Sequence, residues 1–400
     1  MNKVEGLIHV ARELGRDKFL PRSGQYDVAG EFPRENYKDL KDAGFLGLTI
    51  PERYGGMGAD YASYCRVSAE LGFWCGATAL TFNMHTATML WIGLLADQLE
   101  MSKDERARHQ QRRAAVFNGV ITQGHLFAQP FSEPESKAAA GKTPFGTTAE
   151  KVDGGFEISG SKHFASLAGE ADFYGILCTL KTGEELDSRN TVYLAVPADS
   201  VGFTVHGDWD VLGMRATSSR QLRLQSVFVS NSAELLPTGK YHHAALNWPH
   251  MFMTLCPTYV GIARAAYSFT CSYLRGEVEE GPPAGESLKS PIKQISLAQM
   301  RIKLEQTTAL FERAITEAKY RPSKAERLRA YATHYTVMES ANDLCRDAIR
   351  ICGGRAIFKT LRLEQLYRDS RCGSLMLPWT PDICLERLGK ESLNSPIDIP

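Results

Sequence analysis

The sequence predicts an α+β chain of three consecutive regions: an all-helical domain over residues 1–120, a β-domain (barrel or sandwich) over 121–236, and a four-helix bundle over 237–400. Three observations carry that prediction. Apolar residues recur at three- and four-residue spacing through the first region. Short β-rich runs between turn residues then replace them, and the helical spacing finally returns and persists to the end.

The opening stretch MNKVEGLIHVARELGRDKFL is charged throughout and reads as an amphipathic helix, not a signal peptide. ENYKDLKDAGFLGL and the run from Asp60 to Leu99 keep helical spacing, while TIPERYGGMGAD between them is a Pro/Gly loop without a period. MSKDERARHQQRRAA is a solvated helix by its charge. GFEISGSKHFAS, FYGILCTLK, TVYLAVP, GFTVHGDW and RQLRLQSVFVS predict strands, each bounded by Gly, Asp, Ser or Pro. Beyond Pro237, MFMTLCPTYVGIARAAYSFTCSYL, SLAQMRIKLEQTTALFERAITEAKY and KAERLRAYATHYTVMESANDLCRDAIRIC predict three long helices. A shorter fourth after Thr380 completes the bundle, and GEVEEGPPAGESLKSP is a polar surface loop between the first two.

Composition narrows the function classes. Lys plus Arg and Asp plus Glu are 46 each, a formal charge of zero, which gives no reason to expect nucleic acid or an anionic membrane as partner. No run reaches the roughly 18 uninterrupted apolar residues of a membrane span. Nine cysteines are scattered singly, without CxxC or metal-ligand spacing, so reduced thiols in a cytoplasm and no metal are expected.

Three patches carry the chemistry: TIPERYGGMGADY at 49–61; the pair FAQPFSEPES and ISGSKHFASLAGEADF; and IRICGGRAIFKTLRLEQLYRDSR. In that order and at those separations they resemble the acyl-CoA dehydrogenase superfamily of flavoproteins over essentially the whole chain. The resemblance implies FAD, with its ring between the β-domain and the bundle. The ring's polar edge then needs partners, because a buried acceptor left without a donor costs about 1–3 kcal/mol. Ser132-Glu133-Pro134 stands where the family usually has Thr-Glu-Pro, so Ser132 is expected at the pyrimidine edge. Lys162-His163-Phe164-Ala165-Ser166 stands for Lys-x-Trp-Ile-Thr. Phe164 then takes the tryptophan's place beside the ring, and Ser166 that of the threonine facing the reactive nitrogen. Without the resemblance, Phe164 and Ser166 are a core residue and a turn residue of an alternating strand.

Gly353-Gly354 is a helix C-cap by itself; the resemblance adds close approach of a dinucleotide, often across a subunit interface. Arg350 occupies the family's usual glutamine position and is expected to meet a phosphate. In the stretch LMLPWTP, Trp379, with Pro378 and Thr380, is expected to roof the flavin. Leu212-Gly213-Met214-Arg215 matches a family strand turn, with Arg215 either a ligand or a surface residue. His85 lies on a helix that such a fold packs near the substrate and is read as a hydrogen-bonded core histidine.

The reaction the resemblance implies is α,β-dehydrogenation of an acyl thioester, which needs a base to take the α-proton. Counting from Arg368-Asp369 places Leu377 at the family's usual glutamate; matching Thr380 places Pro378 there. The alternative glutamate position, on the first bundle helix, is Met251, followed by Phe252. Neither location holds a base, and His250 is the remaining candidate. The expected function is an FAD-dependent dehydrogenase of fatty-acid metabolism acting on an acyl group carried by CoA or a carrier protein. It would be a dimer or homotetramer passing electrons to a flavoprotein acceptor. Two alternatives stay open. One is a reduced-flavin monooxygenase on the same scaffold, against which stands the absence of any histidine after His334, since those relatives often carry one near the chain end. The other is a non-catalytic partner subunit in a hetero-oligomer.

Overall fold

A computed structural model describes residues 2–133, 143–279, 281–283, 285 and 287–394. The first helices are α1 (Lys3–Leu14), α2 (Leu20–Ala29) and α3 (Arg34–Asp42), then α4 (Tyr61–Trp74), α5 (Gly76–Leu90) and α6 (Lys103–Asn118). Their starts are written in the sequence. Asp60 accepts the Ser63 N–H at the start of α4, and Ser102 with Glu105 forms a capping box on α6. The long apolar run breaks at Cys75, whose extended backbone (φ −148°) separates α4 from α5. Every residue of α5 is buried, so no polar face marks that break. The stretch Gly76–Gln98 is long and apolar enough to cross a bilayer by composition, and almost all of it is buried inside the fold.

Eight strands follow among the described residues: β1 (Phe127–Ala128), β2 (Thr148–Val152), β3 (Gly155–Ala165), β4 (Phe173–Leu180), β5 (Thr191–Pro197), β6 (Phe203–His206), β7 (Arg220–Ser230) and β8 (Glu234–Leu236). They form one sheet in the order β6-β7-β3-β2-β4-β5-β8, with β1 paired in parallel to β4. In β7 the buried residues alternate as Leu222 and Leu224, then Val227 and Val229. The phase slips at Ser226, which is left-handed (φ 49°).

Helices resume with α7 (Lys240–Asn247), then α8 (Cys256–Arg275), α9 (Pro291–Thr316), α10 (Lys324–Cys352), α11 (Arg362–Cys372) and α12 (Pro381–Asn394). Central α10 packs on α8, α9, α11 and α12, so the bundle carries a short fifth helix, α11, that the sequence reading merged into a motif. The helix expected from Met251 begins only at Cys256, with Pro257 in its first turn. Pro249–Met253 forms a 3₁₀ turn instead. The N-terminal helices and the bundle meet through α4 and α8, where glycines face each other's backbones. A Cβ on Gly72 would lie 2.7 Å from the Thr258 carbonyl oxygen, and one on Gly261 would lie 2.4 Å from that of Ala69.

Candidate active site

Between the sheet and the bundle lies a cleft of about 370 Å³, within the usual range for small-molecule sites. Its sheet wall comes from the segment 129–132, the end of β3 and the loop leading into β7. Its opposite wall is Met251–Leu255 with the segment Leu375–Pro378. Four of the six non-glycine residues with positive φ among the described residues, Phe164, Leu167, Met214 and Ser218, sit at that end of the sheet. Each costs of order 1–3 kcal/mol and persists only where its surroundings fix it.

The surroundings are specific. Glu133 and Lys162 form a buried ion pair (Oε1–Nζ 2.7 Å) directly behind the sheet wall. Glu133 also accepts the N–H groups of Gly146 (2.7 Å) and Thr147 (3.0 Å), and Lys162 donates to the Leu177 carbonyl (2.6 Å). Burial pushes the Glu133 carboxyl up, but the Lys162 ammonium and Thr147 outweigh it and hold it below the usual carboxylate range. The pair ties the SEP patch to the KHF patch, and the Ser132 carbonyl accepts the His163 N–H at 2.9 Å. Ser132, Phe164 and Ser166 all reach the cleft wall. Phe164 is 67% exposed at the mouth, edge-on to Trp209 with ring centroids 6.2 Å apart.

The loop before β7 is fixed from the other side by α11. Asp369 accepts the Met214 N–H at 2.5 Å. Burial, reinforced by the nearby Asp27 charge, pushes the Asp369 carboxyl up to about 7. Gly213 packs against the α11 backbone: a Cβ there would lie 2.3 Å from the Arg368 carbonyl oxygen. Gly213→Ala must therefore push α11 and the cleft wall apart. We expect about 1–3 kcal/mol of destabilisation in urea unfolding, with ligand affinity falling in step. Arg215 is structural, donating to the Asp27 and Val211 carbonyls and to the Asp210 carboxylate. His85 is a satisfied core residue: Nε2 lies 2.9 Å from the Leu46 carbonyl, and Nδ1 accepts the Phe127 N–H. Burial pulls its pKa down to about 4.

Six expected site residues, His250, Trp379, Thr380, Arg350, Gly353 and Gly354, do not line the cleft. His250 is fully buried in the 3₁₀ turn, and neither ring nitrogen has a hydrogen-bond partner among the described residues; Met251 and Phe252 face the cleft in its stead. The turn, not a helix, sets that direction. Trp379 points into the bundle, against Tyr331 (4.6 Å between centroids), His334 (5.5 Å) and Phe252 (5.6 Å). The roof is therefore Leu375, Met376, Leu377 and Pro378, and Trp379 anchors it from behind. The Thr380 hydroxyl caps α12 through the Ile383 N–H (3.5 Å). Arg350 and Gly354 are exposed and Gly353 is half-buried at the end of α10, where a Cβ on either glycine would meet open space. Pro134 lies outside the described residues.

Several cleft residues escaped the sequence reading: Gln129, Trp209, Thr217, Ser219, Arg371 and Cys372. Thr217-Ser218-Ser219 could have been flagged, because a hydroxyl cluster directly before an alternating strand has no packing reason to be there. Among the described lining residues Arg371 is the one formal charge; none is a carboxylate or an imidazole. An apolar slot with hydroxyls and an amide on one wall suits a flat heteroaromatic ring with a polar edge, so the residues present fit a flavin.

The chain matches three adjoining family models: acyl-CoA dehydrogenase N-terminal domain over residues 3–97, middle domain over 128–227 and C-terminal domain over 248–377. A curated relative, the probable acyl-CoA dehydrogenase YngJ of Bacillus subtilis (strain 168), is 27% identical over 367 residues, 90% of each chain. Among solved structures, FMN-bound TdsC of Paenibacillus sp. A11-2, a dibenzothiophene monooxygenase, aligns at 20% identity and TM-score 0.81, covering 97% of both chains. Butyryl-CoA dehydrogenase of Megasphaera elsdenii aligns at 21% identity and TM-score 0.81, covering 98% of this chain and 99% of that one. At such identities the two structures share the fold.

Proposed function

This chain belongs to the acyl-CoA dehydrogenase superfamily, and on that premise we propose that it is a flavin-dependent monooxygenase working with reduced flavin on an apolar substrate. The observation that carries this reading is the lack of any carboxylate or imidazole among the described cleft residues. Thioester dehydrogenation needs a base within hydrogen-bond reach of the α-proton. Leu377, Pro378 and Met251, at the cleft, cannot take one, and His250, which could, sits behind the wall.

Oxygenation abstracts no α-proton and so needs no such base, though the sequence also holds no histidine after His334. Reduced flavin supplies two electrons, so that one oxygen atom of O₂ enters the substrate and the other leaves as water with two protons. The chain's own part is binding and exclusion. Ser132 and Ser166 hold the polar edge, Phe164 and Trp209 stand at the mouth, and Leu375–Pro378 keep water out. TdsC, of the same fold, supports this reading. The cofactor is FMN, or FAD if a second copy brings Arg350, Gly353 and Gly354 to its adenylate half.

Dehydrogenation of a CoA- or carrier-bound acyl group, with a flavoprotein acceptor, is the second reading, favoured by the relative YngJ. One experiment separates the two. We expect the flavin-loaded protein to stay yellow when mixed anaerobically with acyl thioesters from butyryl to palmitoyl. Given a flavin reductase and ¹⁸O₂, it should label an apolar heterocycle such as indole or dibenzothiophene. Bleaching by any thioester overturns the proposal in favour of dehydrogenation. A chain that takes up flavin only when co-expressed with a related subunit overturns it in favour of a non-catalytic partner.

A further inference from the structure

Three hydroxyls run in single file from the core to the cleft wall. Thr217 Oγ1 lies 2.9 Å from the Met214 carbonyl oxygen, Ser219 Oγ lies 2.7 Å from Thr217 Oγ1, and Ser166 Oγ lies 2.7 Å from Ser219 Oγ. Each hydroxyl has a single proton, and a carbonyl can only accept. Thr217 therefore spends its proton on Met214, which also takes the Trp209 indole N–H at 3.0 Å and the Thr217 N–H at 3.2 Å. Ser219 must then donate to Thr217, and Ser166 to Ser219. The opposite polarity would leave the Thr217 oxygen facing the carbonyl oxygen at 2.9 Å with no proton between them, in a place where water cannot help: Thr217 is 0% exposed and Ser219 5%.

We propose that this relay fixes Ser166 as a hydrogen-bond acceptor toward the cleft, so that the site selects the reduced form of the flavin over the oxidised form. Two-electron reduction turns a ring nitrogen of the flavin from acceptor to N–H donor. A serine whose own proton is already committed satisfies that N–H and opposes the bare nitrogen of the oxidised ring. The inference rests on the flavin reading above and extends it: the selectivity is built by Met214, Thr217 and Ser219, of which Met214 is locked in its left-handed conformation (φ 55°) by Asp369. Thr217 and Ser219 act through Ser166 and are positioning residues.

The test needs no turnover. Dissociation constants of FMN and of FAD, oxidised and photoreduced, are measured anaerobically by ultrafiltration with the full chain. The reduced form should bind at least tenfold more tightly. Ser219→Ala frees the Ser166 proton and should narrow the oxidised-to-reduced ratio about tenfold, equal to about 30 mV in the potential of the bound two-electron couple. Ser219→Thr, which keeps a hydroxyl, should restore it. Thr217→Val gives an independent cut of the relay if Ser219→Ala fails to fold. Equal or tighter binding of oxidised flavin by the unmodified chain overturns the inference, as does a ratio unmoved in a folded relay variant. Because no substrate is present, thioester bleaching would sink the monooxygenase reading and leave this result standing, and the converse also holds.

Discussion

Replacing Lys162 by methionine should lower the unfolding free energy by about 3–5 kcal/mol at neutral pH, because it leaves Glu133 charged, buried and without its cation. The partner is not replaceable from solvent: the Lys162 side chain is 0% exposed and that of Glu133 3%. The ammonium also stands 4.3 Å from the centre of the Phe145 ring, so the lost contact includes a cation–π term. The defect should be pH-dependent. In the unmodified chain the Glu133 carboxyl is held low, so its stabilisation is present above the unfolded-state value and fades as pH falls through the folded one. In Lys162→Met, burial is opposed only by the Gly146 and Thr147 N–H groups and raises that carboxyl relative to the unmodified chain, so acid relieves the variant. Urea unfolding of the two proteins should therefore converge as pH falls below the usual carboxylate range. A constant gap would show that the lysine acts through packing alone. Adding Glu133→Gln should recover part of the loss, not all of it, since Gly146 and Thr147 N–H groups lose a carboxylate acceptor.

That ion pair also explains what could be read in advance. Glu133 and Lys162 belong to the two halves of one sequence patch, so patches far apart in the chain signalled a joint whose bond is a buried charge pair. The element order was legible because periods of 3.6 and 2 residues cannot be confused over long stretches, and β5 and β7 follow Asn190 and Ser219 and end at Pro197 and Ser230. β1 and β8, two and three residues long, have no period to detect. The directions of side chains near proline turns were not legible. Pro249 and Pro257 delay α8 until Cys256, and that delay decides that Met251, not its neighbour His250, meets the cleft. The hydroxyl relay was hidden for a related reason. Ser166 and Thr217 are joined only after two left-handed residues, Met214 and Ser218, fold the loop back, and such conformations leave little trace in non-glycine sequence.

Trp379→Ala should cost about 3–5 kcal/mol, the usual range for emptying a buried tryptophan site, and should release flavin in excess of that loss. Trp379 is 1% exposed, and its ring is held by Tyr331 and His334 of α10 and by Phe252 of the 3₁₀ turn before α8. The four residues before it, Leu375 to Pro378, are the cleft's apolar roof. Without the indole, the roof loses its fixed end while the sheet wall keeps Ser132, Ser166 and Ser219 in place. Phe311→Ala supplies the control, since that ring is equally buried (1% exposed) in α9, and its removal should cost a similar amount. If both variants lose flavin affinity to the same extent, the effect is general loosening and Trp379 anchors nothing in particular. Trp379→Phe should fall between the parent and the alanine variant: the indole N–H has no partner among the described residues, so only shape is lost. A roof held from behind can be apolar throughout on its cleft face, which is what a site that must exclude water without supplying a base requires.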